Sequence, residues 1–455
     1  MVSKRWQVQE EALAWLRSHP SAMLDMSMGT GKTRTVIDYV CEREDIKKVL
    51  IVCPLSTIRE RTWENNLRKF ATRPWRYWGE HKASVKKKAE LISDYLDDVG
   101  NSDDVFFCAV NYEIIWRQPL DMMLLRACFD LIVLDESHRI KAAGSKQSRY
   151  AHLLGKRVRN KICLSGTPMA NSPLDIYGQY RFLDSRIFGT RVADFKEEYA
   201  VFSGGEPRFI VGFKNLDQLR EKFRILAYTC DISDVASQIK LPEAMPDVIR
   251  TAELPLKATK IATELKNDFF AAYEDAVVAP KNVLERLLRL QQLCSGFVVA
   301  DNGLHEVHDE KIKLLADVMQ DISGKRVVFC NFRHDISLIR ETFDNTFEVS
   351  GQCFELNEWK EAEGDATLIV QIQSGAESID LTNARYAIYY SLPHSLALYE
   401  QSRARIYRPG QMRNTVFIHL LMAGTVDERI YRALYDKKDV IEAIRDRSFM
   451  EDIGG

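Results

Sequence analysis

The chain has 455 residues, 46% of them hydrophobic and 28% charged, with a formal net charge of −2. That length exceeds one ordinary domain and asks for two or three, and the composition is that of a folded globular chain rather than a disordered or fibrous one. The charge balance excludes a surface that is basic throughout, so any nucleic-acid site must be a local cleft or stripe.

The opening stretch "MVSKRWQVQEEALAWL" is charged and amphipathic, a helix pattern rather than a signal peptide. "MSMGTGKT" (26–33) follows a short apolar stretch and precedes the helical "RTVIDYVCERE". Gly29 and Gly31 let the backbone fold tightly, so that amides across Gly29, Thr30 and Gly31 can point at phosphate oxygens. Lys32 can reach the outer phosphates, and the hydroxyl of Thr33 can ligate Mg²⁺. Met26 departs from the standard phosphate loop, which has glycine at that place. Next come apolar runs "KVLIVCP" (48–54), "DVFFCAV" (104–110), "DLIVLDE" (130–136) and "KICLSGTP" (161–168). Their hydrophobicity is continuous rather than alternating, as in strands buried on both faces of a parallel sheet. The third ends in adjacent carboxylates: Asp135 can hold Mg²⁺ and Glu136 can polarise an attacking water. In "CLSGTPMAN" (163–171), Ser165 and Thr167 can link those carboxylates to the rest of the machinery.

Residues from about 172 to 310 show little strand character, and "NDFFAAYEDAVVAPKNVLERLLRLQQLCSGFV" (267–298) reads as helix interrupted at Pro280. Pro242 and Pro246 punctuate "KLPEAMPDVI" (240–249) and mark a linker. Strand-like runs then resume with "KRVVFCNF" (325–332), "ATLIVQIQ" (366–373), "ARYAIYYS" (384–391) and "TVFIHLL" (415–421). Strand–helix alternation in both halves predicts an α/β protein of two lobes with helix-flanked parallel sheets. The expected domains are 1–240, with a helical insertion near 172–235, and 241–455, with another near 250–310.

"YEQSRARIYRPGQ" (399–411) packs three arginines into thirteen residues. A helix starting near Tyr399 would set Gln401, Arg405 and Arg408 on one face through the i, i+4, i+7 relation, leaving Arg403 off it as the ordinary basic residue. The run "HKASVKKKAE" (81–90) reads as a solvated helix face, and Trp63, Trp75 and Trp78 as packing residues. The nine cysteines form no C-x-x-C pair and several sit in apolar runs, as buried reduced thiols would.

Taken together, the order of motifs resembles the helicase superfamily II ATPases, of the Swi/Snf type found in chromatin remodellers and in prokaryotic and phage relatives. The resemblance spans nearly the whole chain. "VQEEALAWL" (8–16) resembles the adenine-reading segment, with Gln9 in the glutamine slot. Pro54, Ser56 and Trp63 resemble a P-x-S … W block, "VNYEII" (110–115) an N-Y-E element, "DESHRIK" (135–141) and "LSGTPMAN" (164–171) the second and third motifs, and "VVFCNFRHDISLI" (327–339) the fourth. "SGAESIDLTNA" (374–384) stands in for a glycine-rich fifth motif, with Asp380 replacing the usual Asn, and "LPHS" (392–395) stands in for a tryptophan-containing box. The stretch from Gln401 resembles the sixth motif, whose arginines would be Arg405 and Arg408; Ala404 stands where the family has Asp or Gly.

The resemblance implies two RecA-like lobes and an ATP- and Mg²⁺-dependent DNA translocase. Gln401, Arg405 and Arg408 of the second lobe would reach nucleotide held by the first. Double-stranded DNA, forked or branched forms included, would be gripped through phosphates at Ser56, Asn111, Asn331 and Thr382. Two rivals remain at this level: a strand-separating DNA or RNA helicase, and a nucleotide-gated DNA-binding scaffold. A monomer of the bacterial or phage-infected cytoplasm is expected, with no membrane association and with room for a targeting protein as partner.

Overall fold

Apolar runs without alternation need cover on both faces, and the chain uses them so. The computed structural model describes residues 4–99, 103–204, 208–243, 245–275, 280–300, 303–375 and 379–445. It divides into two compact units, one built on Met1–Lys240 and one on Leu241–Lys438.

The first unit holds strands β1 (Ser21–Met26), β2 (Lys48–Cys53), β3 (Trp75–Trp78), β4 (Val105–Asn111), β5 (Leu131–Asp135), β6 (Asn160–Ser165), β7 (Ala200–Phe202), β8 (Ile210–Phe213) and β9 (Ala227–Cys230). Seven of them form one sheet in the order β3-β4-β2-β5-β6-β1-β9, every pairing parallel. All seven residues of β4 are buried. On one face, Leu13, Val36, Ile37 and Leu67 from three helices pack with Leu24, Ile51 and Val133. The other face is equally closed at Leu50, Val52, Ile132 and Leu134. Each such side chain contributes about 1.5–3 kcal/mol when fully buried. The register sets Asp25 beside Ser165 and Asp135 beside Leu164, so the ends of β1, β5 and β6 share one edge.

The second unit holds β10 (Val248–Ala252), β11 (Phe297–Ala300), β12 (Gly303–Glu306), β13 (Arg326–Cys330), β14 (Thr346–Val349), β15 (Thr367–Gln371), β16 (Tyr386–Tyr389) and β17 (Val416–Met422). Its main sheet runs β10-β17-β16-β13-β15-β14, again all parallel. Leu315, Val328, Ile339, Ile369, Ile388 and Leu420 make the core. The fold is thus α/β with a helix-flanked parallel sheet in each unit.

One expectation is corrected. Six short strands, β7 to β12, lie where residues 172–310 promised almost none. Two pairs of them, β7–β8 and β11–β12, are separate antiparallel hairpins. The other two, β9 and β10, are outermost strands of the main sheets. A strand of four or five residues at such a place carries no long apolar run. The helices Leu256–Asp275 and Pro280–Cys294 do fall in this stretch; the residues between them lie outside those described. Among the described residues no helix is long and apolar enough to cross a membrane.

The centre of β17 carries a buried histidine. Tyr399 Oη and His419 Nε2 are hydrogen-bonded at 2.9 Å, and the imidazole stacks on Tyr389 at 4.9 Å. Burial pushes its pKa down to about 3, against the pull of Asp247. An unfolded histidine binds its proton near pH 6.5, so between those two values the unfolded state carries the extra proton and stability falls as pH falls. The slope reaches about 1.4 kcal/mol per pH unit. Thermal unfolding between pH 7 and pH 4 should show wild-type stability declining below about pH 6.5, and the His419→Gln protein declining less steeply. Parallel declines would remove His419 as the cause.

Candidate active site

Between β1 and the helix Lys32–Cys41 the backbone turns through two left-handed glycines, Gly29 (φ 82°) and Gly31 (φ 96°). At Gly31 glycine is required twice over, because a Cβ there would come within 2.2 Å of Gln9 Nε2. Gln9 is buried and both ends of its amide are used: Nε2 donates to Thr30 O at 3.2 Å and Oε1 accepts from Trp6 N at 3.1 Å. The residue expected to meet a base therefore fastens the loop. Within the loop Thr30 Oγ1 donates to Ser27 O at 2.7 Å, and Lys32 Nζ donates to Met26 O at 2.7 Å and Ser27 O at 3.3 Å. Ser27 Oγ anchors to Asp231 Oδ1 at 2.9 Å. Thr33 sits half-buried in the first helical turn, where backbone N–H groups lack intrahelical partners and favour an anion.

The end of β5 is held from two sides. Trp63 Nε1 donates to Asp135 Oδ2 at 3.0 Å, and Tyr112 Oη donates to Asp135 O at 2.8 Å. Burial, joined by the adjacent Glu136 charge, pushes the Asp135 carboxyl above the usual carboxylate range, while Trp63 and Lys32 oppose that rise. Glu136 itself takes a left-handed φ of 54°. A non-glycine residue there stores about 1–3 kcal/mol of strain. Its Oε2 is buried without a hydrogen-bond donor, and His138 Nδ1 lies 3.4 Å away. His138 Nδ1 also lies 3.2 Å from Ser165 Oγ, which accepts from Thr167 N at 3.0 Å. Burial holds His138 below its ordinary pKa, so it is neutral near pH 7. A second bridge runs from Ser137 Oγ to Gln179 Oε1 at 2.7 Å, and from Gln179 Nε2 to Pro168 O at 2.7 Å. The ends of β1, β5 and β6 thus bring together a lysine, two carboxylates, a neutral histidine and two hydroxyls.

The four residues expected to grip DNA are placed unequally. Ser56 is half-buried on the short helix Leu55–Arg59. Asn111, at the end of β4, is only 4% exposed and donates from Nδ2 to Glu113 Oε2 at 2.7 Å. In the second unit Asn331 is enclosed: Nδ2 donates to Gln291 Oε1 at 3.4 Å and Oδ1 accepts from Gln373 Nε2 at 3.2 Å. Thr382 is half-exposed and donates from N and Oγ1 to Asp380 Oδ1, at 3.0 and 2.9 Å.

The arginine-rich segment needs two corrections. Its helix runs Leu396–Ile406, so Gln401 and Arg405 are one turn apart but Arg408 lies beyond the helix, in a turn closed by Gln411 N on Arg408 O at 3.0 Å. The reason is Pro409, which disfavours helical backbone at the residue before it. Gln411 is buried and staples the turn, donating to Ala384 O at 2.9 Å and Ile406 O at 3.2 Å. The second correction concerns Arg403, which is no ordinary surface residue. It donates from Nη1 and Nη2 to the two carboxylate oxygens of Asp247, at 2.8 and 2.9 Å, and its guanidinium lies 3.8 Å over the Phe417 ring. Burial alone would push the Asp247 carboxyl up, but the hydrogen bonds and charge of Arg403 hold it below the usual range. The basic run near 81–90 is likewise only partly solvated: Lys88 is 4% exposed and donates to His81 O at 3.3 Å. Trp63 was legible as packing, but not as the donor to Asp135; the available signal was that a buried indole needs an acceptor.

Known proteins resemble this chain at the level of family. Residues 8–294 match the model of the SNF2-related domain, and residues 310–410 that of the helicase conserved C-terminal domain. An uncharacterized ATP-dependent helicase of Mycoplasma genitalium is 21% identical over 98% of this chain and 42% of its own length. Protein p41 of Acyrthosiphon pisum secondary endosymbiont phage 1 is 23% identical, covering 91% of this chain and 92% of its own. The human DNA repair and recombination protein RAD54-like is 22% identical over 94% of this chain and 63% of its own. Among solved structures, the Sulfolobus solfataricus SWI2/SNF2 ATPase core in complex with dsDNA aligns with 98% of this chain and 93% of its own, at 20% identity and a TM-score of 0.45. The chain belongs to the SNF2-related family, and it spans less than half the length of the Mycoplasma genitalium relative it matches.

Removing Arg403 leaves the Asp247 charge buried without its main partner, so Arg403→Ala should lower stability by about 3 kcal/mol. Denaturant unfolding of the full chain measures this; a loss below about 0.5 kcal/mol, ordinary for a surface change, would restore Arg403 to the solvated surface.

Proposed function

We propose that the chain is an ATP-driven translocase on double-stranded DNA. One observation carries the hydrolytic part: the buried Glu136 Oε2 lacks a hydrogen-bond donor at the end of β5, in the unit that carries the phosphate loop. Buried polar atoms are rarely left unsatisfied, and in this reading the attacking water donates to it. The strained Glu136 backbone aims that carboxylate, and neutral His138, tied to Ser165, keeps a second positive charge away from it. The amides of Gly29 to Gly31 and the first helical turn bind phosphate oxygens, and Lys32 neutralises the outer ones. Asp135 and Thr33 supply hard oxygen donors of the kind magnesium takes. The metal, when bound, would neutralise charge on the phosphates.

In this reading Arg405 and Arg408, with Gln401, stabilise the charge that develops on the γ-phosphate. Arginines in that role are worth roughly 10³–10⁵ in rate, or about 4–7 kcal/mol of barrier. Of the four residues expected to grip DNA, the accessible Ser56 and Thr382 meet the DNA backbone, whereas Asn111 and Asn331 are enclosed and their side chains are already hydrogen-bonded. Contacts of that sort set position and read no bases, so little sequence preference is expected. The relatives named for ATP-dependent helicase activity and for DNA repair support this reading.

Lys32→Ala and Glu136→Gln should each cut ATP turnover to near background while thermal unfolding stays unchanged. A folded Glu136→Gln protein with wild-type turnover would overturn the assignment. Turnover against duplex, single-stranded, forked and four-way DNA should rise with duplex. Stimulation by single strands alone, with unwinding of a tailed duplex, would replace translocation with strand separation.

Arg405→Ala and Arg408→Ala should each reduce DNA-stimulated turnover by roughly 10³-fold or more, with duplex affinity near wild type. Loss of affinity alone, with a flatter salt dependence, would reduce both to phosphate contacts.

A further inference from the structure

The amino edge of the first sheet, opposite the phosphate loop, carries a pocket of about 270 Å³ where β1 and β6 begin. It is lined by four cations, Lys156, Lys161, Arg181 and Arg186, with His152 and a single carboxylate, Asp184. Two helices, Lys146–Gly155 and Ile176–Leu183, end there. Helix C-termini favour cations, and this accounts for part of the set. Lys161 Nζ donates to Leu183 O, and His152 Nδ1 donates to Arg181 O at 2.7 Å. Asp184 is already committed, since both its oxygens accept from Arg186, Oδ1 from Nε at 3.0 Å and Oδ2 from Nη2 at 2.6 Å.

Lys156 and Arg181 are left over. Neither has an ion-pair partner among the described residues, and the Arg181 Nε is buried without an acceptor. Nothing in the local fold explains a buried, unsatisfied guanidinium nitrogen beside three further cations, in a chain whose net charge is −2. Exposed Arg157 and Arg159 follow Lys156 in the chain, in "GKRVRNK" (155–161). Burial, with the positive charge of Arg181, Lys156 and Lys161, also lowers the His152 pKa, so those three charges converge on one point.

We propose that this pocket is a second anion site, built for a phosphate group and separate from the nucleotide loop. Guanidinium and ammonium donors on a concave wall suit tetrahedral oxyanions. The phosphate can come from a nucleic-acid backbone, which would extend the DNA track to the far edge of the first unit, or from a free phosphate anion.

Two measurements on the full chain separate these sources. The first is calorimetric titration with inorganic pyrophosphate in saturating ADP, so that the nucleotide loop is occupied. The second is the salt dependence of duplex binding by fluorescence anisotropy. The variants are Lys156→Gln and Lys156→Gln/Arg181→Gln. The exposed Lys156 change leaves folding untouched and keeps the test valid if the double variant unfolds. Loss of charge-assisted hydrogen bonds should weaken pyrophosphate binding by roughly tenfold in the double variant and less in the single. For every backbone phosphate that is no longer neutralised, the salt slope should fall by about 1. A flatter slope identifies backbone phosphate; weakened pyrophosphate with an unchanged slope identifies a free anion. DNA-independent ATP turnover stays at the wild-type value in either case. Wild-type pyrophosphate binding and wild-type slope in both variants would overturn the site and leave these cations as helix-end partners.

Discussion

Every strand pairing in the two main sheets is parallel, and most of what is distinctive in the chain follows from that. A parallel neighbour can be reached only by a crossover, so each strand is followed by a helix that covers a face. Every strand then leaves its sheet at the same edge, and in open α/β sheets ligands gather outside that edge. Lys32 follows β1, Asp135 ends β5 and Ser165 ends β6, so residues far apart in the chain become neighbours without any long loop. The rigid scaffold carries the apolar burial, and the strand exits carry the chemistry.

Interior strands were legible and sheet edges were not. The eight apolar runs recognised in the sequence correspond to β2, β4, β5, β6, β13, β15, β16 and β17, all of them interior. The four outermost strands, β3, β9, β10 and β14, went unread as strands. The physical reason lies in burial. An interior parallel strand is covered on both faces and must be apolar throughout, as "TLIVQ" in β15 nearly is. An outermost strand such as "WRYW" or "TFEV" is short and half-covered, so its pattern resembles any amphipathic fragment.

The same contrast holds at the site. The Gly29–Gly31 turn after β1 and the Asp135–Glu136 pair at the end of β5 were legible as strand-end features, because an apolar run leads into each. The supports were not, because they depend on long-range contact. Trp63 lies 72 positions from the carboxylate it serves, and Arg403 lies 156 from Asp247. A helical wheel assigned Arg403 to solvent and extended the helix through Arg408; a distant aspartate decided the first and the next residue in the chain, Pro409, the second. Gly178 shows a third kind of hidden constraint. A side chain there would meet Ile140 O at 2.1 Å, so its absence lets the helix Ile176–Leu183 press against the turn that follows the strained Glu136.

Gln9 fastens the start of the first helix to the glycine turn after β1. Its amide is occupied by Trp6 and by the carbonyl of Thr30, and its side chain fills the space a Gly31 methyl would need. In the proposed function, a purine base that competed for that amide would have to release the loop proposed to meet the phosphates. Discrimination between bases would then be felt as a change in loop freedom rather than as one more hydrogen bond. A nucleotide with the wrong base could be held just as tightly by its phosphates and still leave the loop latched.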